Sequence, residues 1–343
     1  MNKPLNKKAI LTGKRKIILV DGEIPKPEKN EVLVKVAYCG ICGSDIPRYF
    51  EGRVHYFPLI LGHEFSAEII ETNGSEKFAK GDKVVGIPLI PCKKCKECLD
   101  GHFQLCANYS FFGSREDGAF QQYIKTNECN LIKLPSNVSL KEAALIEPLT
   151  VAIHAYLELK DKIKQNSRIL IYGFGNIGVL LSKYLTYKGF KDISVLTHST
   201  RMAKEAQKVK IKNYWLLSEN LEGKEYFDIV FDCSSASTSL NRILPLLSPK
   251  GIVSIIGSKA DNIEISNINF NWIQRKEALL VGAWMSYSSP WPGEEWQEAC
   301  HFLSKSGLSI EGLITKEYCL EEINQAFEAS VSLSPKILIN MSL

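Results

Sequence analysis

The pattern of hydrophobic and polar positions divides the chain into two parts near residue 150. In the first part, apolar residues form short runs that are separated by turns. Val32–Tyr38 alternates apolar residues with polar or small ones, as a half-buried strand does. Lys80–Val85 places Gly81 and Asp82 in a turn before an apolar pair, which predicts a turn that leads into a strand. This part is therefore predicted to be β-rich and partly barrel-like.

The second part alternates predicted strands with predicted helices. Its first strand, Arg168–Tyr172, runs directly into Gly173. Further strands are predicted at Ile193–Leu196, Tyr214–Leu217, Phe227–Phe231 and Ile252–Ile256. The helices predicted between them are Ile177–Tyr187, Arg201–Val209 and Ser239–Leu247. Strands that read as continuous apolar runs between helices predict an α/β fold with a doubly wound parallel sheet.

Helical spacing also occurs outside this alternation. It covers Leu140–Leu159, where Pro148 is expected to break the helix. It returns near the C-terminus at Trp296–Lys305 and Leu320–Val331, and a last strand is predicted at Lys336–Ile339.

Composition narrows the class of protein. The 343 residues are more than one hydrophobic core usually holds, so two domains are expected. A net charge of +4 is too small to indicate nucleic-acid binding. The basic residues near the N-terminus are interpreted as a solvated terminus; they are Lys3, Lys7, Lys8, Lys14, Arg15 and Lys16.

No secretory leader and no membrane span are predicted. Charges interrupt the apolar stretch Ala9–Val20, and no segment reaches about 18 uninterrupted apolar residues. A cytoplasmic protein is expected. Four of the ten cysteines lie between Cys92 and Cys106, and such clustering in a large cytosolic enzyme indicates metal binding rather than disulfides.

The segment Gly173-Phe-Gly175-Asn176-Ile177-Gly178 has the spacing G-x-G-x-x-G. It follows an apolar strand and begins a helix, which is the context that a dinucleotide-binding loop requires. The first glycine permits the tight turn, the second lets the backbone approach a pyrophosphate, and the third lets helix and strand pack closely. The helix N-terminus would hold the phosphate charge.

The end of the next strand bears on the choice of cofactor. A carboxylate there would bind the ribose hydroxyls of NAD, but Thr197 occupies this position, with His198 and Arg201 just beyond. Hydroxyls and a guanidinium suit a ribose phosphate, so NADP is favoured over NAD. The alternative is that Arg201 only begins a surface helix.

The spacing of Cys92, Cys95, Cys98 and Cys106 is typical of a zinc site. Four thiolates close a tetrahedral shell around one ion and leave no open position, so a structural zinc is predicted here. The neighbouring lysines Lys93 and Lys94 would offset part of the negative charge.

Dispersed residues can supply the mixed S, N and O ligands of a second, catalytic zinc with an open position. They are Cys42, His63, Glu64 and Glu147. Asp45 is expected to accept the other imidazole N–H of His63 and fix its tautomer. Cys39 forms a C-x-x-C with Cys42, but it is interpreted as a small buried residue.

These motifs together resemble the zinc-containing medium-chain dehydrogenases, in particular the sorbitol and threonine dehydrogenase branch. G-I-C-G-S-D, L-G-H-E, G-D-K-V, the four cysteines, I-E-P-L and G-F-G-N-I-G follow in this order along nearly the whole chain. Within that branch, four segments are similar to galactitol-phosphate dehydrogenases: Asp45–Phe50, His55–Pro58, Gly113–Arg115 and Trp284–Gly293.

The resemblance implies a domain organisation and roles for the predicted ligands. Residues 1–150 and 285–343 would form a GroES-like catalytic domain with a structural zinc lobe at 91–107, and residues 151–284 a Rossmann domain. Cys42, His63, Glu64 and Glu147 would surround the active zinc, and a homodimer or homotetramer would form through the cofactor domains. The chain departs from the pattern at Pro47, where sorbitol-type enzymes commonly carry a relay histidine.

The predicted reaction is the oxidation of a polyol phosphate of hexitol or pentitol size. Ser44 would lie near the reacting hydroxyl and pass its proton toward solvent through the cofactor ribose. Arg48 is predicted to bind the phosphate, with His55 and Arg115 as partners, because a neutral polyol gives no reason for a permanent charge there. The alternative is that Arg48 pairs with Glu51.

Other functions remain open at this point. The same scaffold would suit an unphosphorylated polyol, L-threonine or a simple alcohol. A non-enzymatic zinc- and dinucleotide-binding protein is a further alternative, but such a protein needs no open metal position.

Overall fold

The computed structural model describes residues 5–208, 211, 213–219, 221, 226–259, 261–306, 313–332 and 336–342. The chain forms two compact units. We call them the composite unit (Met1–Pro148 with Tyr287–Leu343) and the central unit (Leu149–Ser286). The boundaries predicted at 150/151 and 284/285 lie two residues from these. Lys3 and Val209, which belong to two of the predictions above, lie outside the described residues.

The secondary structure follows in chain order. The strands are β1 (Leu5–Gly13), β2 (Lys16–Glu23), β3 (Glu31–Gly40), β4 (Leu59–Ile60), β5 (Glu64–Thr72), β6 (Lys83–Gly86), β7 (Leu89–Ile90), β8 (Ser110–Phe111), β9 (Tyr123–Asn127), β10 (Leu131–Lys133), β11 (Ile169–Tyr172), β12 (Ile193–Thr197), β13 (Asn213–Leu216), β14 (Phe227–Asp232), β15 (Leu247–Ile255), β16 (Leu279–Gly282), β17 (Ile314–Cys319) and β18 (Lys336–Asn340). The α-helices are α1 (Asp45–Glu51), α2 (Lys96–Leu99), α3 (Leu140–Ala143), α4 (Ile146–Leu157), α5 (Asn176–Tyr187), α6 (Thr200–Lys208), α7 (Ser239–Ile243), α8 (Asn267–Arg275), α9 (Glu294–Ser306) and α10 (Ile323–Ser330).

The composite unit is β-rich, as predicted. One sheet has the order β2-β1-β4, and a larger one has the order β10-β6-β5-β3-β18-β17, with β9 also paired to β3. Strand β18 pairs antiparallel with β3, so the last residues of the chain return to the strand that precedes Cys42. Buried side chains from β1, β3, β5 and α10 form one hydrophobic core in this unit.

The central unit has the predicted doubly wound parallel sheet, in the order β13-β12-β11-β14-β15-β16. The chain lays down β12 and β13 on one side of β11 and then continues with β14, β15 and β16 on the other side. The strand order therefore reverses between β11 and β14. In such sheets a ligand binds in the crevice at the carboxyl ends of the strands that flank this switch point.

Two predictions about helices were wrong. Pro148 does not break a helix, because α4 begins at Ile146 and Pro148 lies in its first turn, where the backbone N–H has no helical partner to lose. The predicted helix Ser239–Leu247 is shorter: α7 ends at Ile243, a 3-10 turn that contains Pro245 follows, and Leu247 already begins β15. The sequence analysis also missed α8 and β16.

Among the described residues, the structure contains no helix that is both long enough and apolar enough to cross a membrane.

Candidate metal and dinucleotide sites

The four clustered cysteines meet in one loop-forming lobe. The ligand atoms of Cys92, Cys95, Cys98 and Cys106 all lie within 4.8 Å of one another. Backbone N–H groups point at the sulfurs: the N–H of Cys95 donates to Cys92 Sγ at 3.4 Å, and that of Cys92 donates to Cys106 Sγ at 3.3 Å. Donation from the backbone N–H groups of Lys94 and Cys95 lowers the pKa of Cys92 to about 6. These thiols can therefore hold a metal ion such as zinc.

The second cluster is built on the paired strands β3 and β5. Gly40 at the end of β3 is opposite Glu64 at the start of β5, so Cys42 and His63 lie near each other at the same end of the sheet. The ligand atoms of Cys42, His63 and Glu64 lie within 4.8 Å of one another. A Cβ on Gly40 would lie 2.1 Å from Glu64 Oε2, so only glycine leaves room for this carboxylate.

Close backbone contacts between glycines fix the segment that carries His63. Gly62 has a φ of +93°, which favours glycine, and a Cβ on Gly118 would lie 2.2 Å from its carbonyl oxygen. A Cβ on Gly113 would lie 2.8 Å from the Gly62 nitrogen. The N–H of Ala119 donates to the Gly62 carbonyl at 2.8 Å. The direction of His63 is therefore set by backbone packing that side chains would prevent.

Burial disfavours negative charge in this cluster. It raises the pKa of Cys42 to about 11 and that of Glu147, in the first turn of α4, to about 8. The nearby carboxylate of Glu64 raises both pKa values further. His63 Nδ1 is buried without a hydrogen-bond partner among the described residues. A divalent cation would relieve the burial cost of thiolate and carboxylate together, so these donors fit a metal ion.

Lys336, which the sequence pattern did not single out, reaches this cluster from β18. Its Nζ lies 2.5 and 2.8 Å from the two carboxylate oxygens of Glu64 and donates to the Ile41 carbonyl at 3.0 Å. Both side chains are buried. A lysine at the start of the otherwise apolar strand K-I-L-I was the feature of the sequence that could have indicated a buried cation. Since Lys336 neutralises Glu64, Glu64 already has a cationic partner without a metal.

Asp45 has different partners from the one predicted. Its carboxylate is fully buried and accepts from the backbone N–H of Cys42 at 3.2 Å and from Arg48 Nη1 at 2.9 Å. It lies 3.6 Å from His63 Nδ1, which is too long for the predicted hydrogen bond. Arg48 Nη1 also donates to Ser44 Oγ at 3.2 Å.

The residues predicted to bind phosphate each have their own surroundings in the structure. Arg48 pairs with Asp45 rather than Glu51. The Arg115 guanidinium lies 4.0 Å from the ring centroid of Tyr109 and donates to its carbonyl at 2.9 Å. His55 is exposed.

Tyr287 is a second residue near the cluster that the sequence analysis missed. It is 1% exposed, and its ring stacks on Trp291 and Trp296 at centroid distances of 5.6 and 5.8 Å. Its hydroxyl makes no hydrogen bond within the described ranges. Burial raises its pKa well above the usual value, and the charge of Glu147 acts in the same direction. The rings therefore hold a polar atom close to Glu147.

The glycine-rich loop has the geometry expected of a dinucleotide site. Gly173 follows β11 with a φ of +88°, and Gly175 lies directly before α5. A Cβ on Gly178 would lie 2.3 Å from the Gly173 carbonyl oxygen, so the helix can pack this closely only on glycine. Asn176 Oδ1 is buried and has no hydrogen-bond partner among the described residues. Ile177 follows it in the first turn of α5.

The predicted cofactor-selecting residues lie at the end of β12 (Thr197), just after it (His198) and in the first turn of α6 (Arg201). Thr197 is buried, whereas His198 and Arg201 are exposed. Ser199 Oγ accepts from the Met202 N–H at 3.3 Å and so caps the N-terminus of α6.

Comparison with known proteins identifies the scaffold. Residues 28–136 match the family described as alcohol dehydrogenase GroES-like domain. The chain is 33% identical to galactitol 1-phosphate 5-dehydrogenase of Escherichia coli strain K12, over 87% of this chain and 88% of the relative. It is also 33% identical to sorbitol dehydrogenase of Halalkalibacterium halodurans, over 89% of this chain and 90% of the relative.

A solved structure agrees with these relatives. The crystal structure of galactitol-1-phosphate dehydrogenase from Escherichia coli superposes with a TM-score of 0.92 at 31% identity. The match covers 97% of this chain and 99% of that one. The relatives are zinc-dependent alcohol and polyol dehydrogenases. The chain thus belongs to the family of zinc-type medium-chain alcohol dehydrogenases.

Proposed function

We propose that this enzyme oxidises a polyol phosphate to a ketose phosphate and prefers NADP(H). The observation that carries the reaction class is the cluster of Cys42, His63 and Glu64 with Glu147 nearby, in which burial makes the charged forms of Cys42 and Glu147 costly without a further cation. Phosphate specificity is supported by Arg48, which lies beside Ser44 with a side chain that is 17% exposed.

The metal roles follow from the two donor sets. Cys42, His63, Glu64 and Glu147 would hold the catalytic zinc, and Cys92, Cys95, Cys98 and Cys106 the structural one. A zinc ion at the first set supplies a Lewis acid that lowers the pKa of a substrate hydroxyl. Lys336 holds Glu64 by both oxygens, which favours Cys42, His63 and Glu147 as the principal donors and leaves a position for substrate.

The protein groups near this position have separate tasks. Ser44 is exposed and accepts a hydrogen bond from Arg48, and its hydroxyl would pass the substrate proton toward solvent. Pro47 stands where a relay histidine is common and has no proton to pass. The relay in this chain would therefore begin at Ser44. A bound nicotinamide dinucleotide would supply the hydride acceptor.

The ion pair between Arg48 and Asp45 favours a second candidate, an unphosphorylated polyol. A guanidinium that is already neutralised has less charge to offer a phosphate. Its hydrogen bonds to Ser44 and Asp45 both leave from Nη1, however, and a guanidinium carries five N–H donors. The remaining donors can still form a bidentate contact with a phosphate.

Replacing Arg48 by alanine should lower the specificity constant for a polyol phosphate much more than that for the matching polyol. A charge-assisted contact to phosphate is worth about 2–4 kcal/mol, which predicts a selective loss of roughly 30-fold to 800-fold. Steady-state kcat/KM with both substrates measures this loss. Because the change also leaves Asp45 without its cation, any loss shared by both substrates reports that structural effect.

Arg48→Lys is the matched control, since it keeps the charge beside Asp45 but loses the planar fork. It should retain the preference for phosphate in part. If wild-type enzyme gains nothing from the phosphate, the substrate is a neutral polyol and Arg48 serves only to pair with Asp45.

The cofactor preference makes a separate prediction. If Arg201 contacts the ribose phosphate, Arg201→Ala should weaken NADPH binding by about 1–3 kcal/mol and leave NADH binding nearly unchanged. Fluorescence titration with both reduced cofactors measures the two dissociation constants. Lys191→Ala, a change at another exposed basic residue of the central unit, should alter neither. A wild-type preference for NADH would contradict the assignment.

We also propose a homodimer or homotetramer formed through the central unit. Strand β16 is an edge strand, and Leu279 on it is 42% exposed. Ile268 and Phe270 on the preceding helix α8 are 74% and 60% exposed. An exposed edge with apolar neighbours is suited to pairing with a second copy of the same strand.

A further inference from the structure

A buried ion pair lies at the carboxyl edge of the central sheet. Asp232 is the last residue of β14, and Lys259 lies in the segment after β15. Lys259 Nζ is 2.7 Å from Asp232 Oδ2, and the two side chains are 9% and 0% exposed. Since the strand order reverses between β11 and β14, this pair lies on the side of the crevice opposite to the glycine-rich loop.

The pair also organises the loop that follows β14. Asp232 Oδ1 accepts from the backbone N–H and the hydroxyl of Ser234, at 3.1 and 2.7 Å. Asp232 Oδ2 accepts from Ser239 Oγ at 2.6 Å. Lys259 donates in addition to the Ser234 carbonyl at 2.7 Å. The Asp232 carboxylate therefore holds the backbone N–H of Ser234, and the Lys259 ammonium holds its carbonyl.

Ser234 is in turn packed between two glycines. A Cβ on Gly173 would lie 3.0 Å from the Ser234 nitrogen, and one on Gly257 would lie 2.1 Å from its carbonyl oxygen. The loops after β11, β14 and β15 thus meet at this single residue.

We propose that Lys259 is a positioning residue for the nicotinamide half of the dinucleotide site. In a doubly wound sheet the glycine-rich loop binds the pyrophosphate and the end of β12 faces the adenosine ribose, so the loops after β14 and β15 face the other half of the cofactor. The ion pair with Asp232 fixes these two loops in the free protein, so binding need not order them. This inference rests on the proposed binding of a nicotinamide dinucleotide to the central unit.

Lys259→Met tests the proposal when the binding of a whole dinucleotide is compared with that of its adenosine fragment. We expect the dissociation constants of NADH and NADPH to rise about tenfold, and the dissociation constant of 5′-AMP to stay within about twofold, both measured by calorimetry. In turnover, the KM for the dinucleotide should rise more than kcat falls. Lys191→Met, which changes an exposed lysine of the same unit, should bind all three ligands as wild type does.

Removing one partner of a buried ion pair can itself unfold a protein, so a second variant is needed. Asp232→Asn/Lys259→Met removes both charges, and it should show the same selective loss of dinucleotide affinity at a melting temperature close to that of wild type. Lys259→Arg keeps the charge and should recover most of the affinity.

Two results for the variants would overturn the inference. One is unchanged dinucleotide binding in Lys259→Met and in the double variant. The other is an equal loss for 5′-AMP and the dinucleotides, which would make the pair a general support of the fold. A wild-type protein that binds neither NADH nor NADPH would instead refute the proposed cofactor function, before any variant is compared.

Discussion

Replacing Cys42 by serine is expected to reduce turnover by a factor on the order of 10³ or more while the fold is retained. A metal that polarises the reacting oxygen contributes several kcal/mol, and each ~1.4 kcal/mol is a factor of ten in rate. Serine keeps the size of the side chain but replaces a thiolate by a hydroxyl that remains protonated at neutral pH. Cys42 follows β3, and the similar size of serine means that little packing is lost.

Three measurements separate this outcome from general damage: kcat, the zinc content per chain and the melting temperature. The variant should lose one of two zinc ions and keep a melting temperature near that of wild type. Cys319→Ser is the matched control, because Cys319 is also partly buried in the composite unit and belongs to neither cysteine cluster. Normal turnover in Cys42→Ser would rule out its role as a ligand.

The second large effect is expected in the four-cysteine lobe and concerns stability rather than chemistry. Cys95→Ser should weaken zinc retention in the lobe by more than about 100-fold, since even the loss of a hydrogen-bond partner of a ligand costs roughly 10–100-fold. Metal binding at such a site is folding free energy, so the melting temperature should fall as zinc is lost. The backbone N–H of residue 95 could still donate to Cys92 Sγ, but the side chain at this position would offer a hydroxyl in place of a thiolate ligand.

Differential scanning calorimetry with and without added zinc measures this coupling. Wild-type enzyme should be stabilised by zinc, and Cys95→Ser should respond only at much higher zinc concentration. Cys129→Ser serves as the control, because Cys129 is near the lobe, with its sulfur 3.4 Å from Lys93 Nζ, but lies outside the metal group. If Cys95→Ser melts like the control at every zinc concentration, the lobe does not depend on metal.

The comparison of sequence and structure shows which features are locally encoded. G-x-G-x-x-G predicted its own loop, because each glycine is required by a contact a few residues away, such as that between Gly178 and the Gly173 carbonyl. The spacing of the four cysteines likewise brought them together without distant segments. Alternation of strands and helices was sufficient for the fold of the central unit. Helical spacing together with Pro148 did not show whether a helix ends or begins there. Proline is tolerated in the first turn of a helix, and α4 begins just before it.

The missed residues depend on pairing between segments that are far apart in the chain. Lys336 pairs with Glu64 and lies 272 residues further along the chain. No local pattern connects them, and only the neighbouring position of β18 and β3 brings them together. Tyr287 reaches the region of Glu147 in the same way, through the return of the C-terminal segment to the composite unit.

The partners of Arg48 illustrate a different limit. The sequence suggested Glu51, three positions along the same helix, as a competing carboxylate. The structure pairs Arg48 with Asp45, three positions earlier, and Glu51 with Arg53. Both spacings are equally available on a helix, so the buried position of Asp45, which the helix pattern alone does not show, decides between them.

The most direct test of the central claim is the initial rate of dinucleotide reduction with a panel of polyols and polyol phosphates. The panel is run with NAD⁺ and NADP⁺, before and after zinc is removed by a chelator. We predict oxidation of at least one member of the panel, loss of that activity on chelation and recovery on addition of Zn²⁺. Full activity in protein that contains no zinc, or no oxidation of any polyol by the zinc-loaded enzyme, would contradict this account.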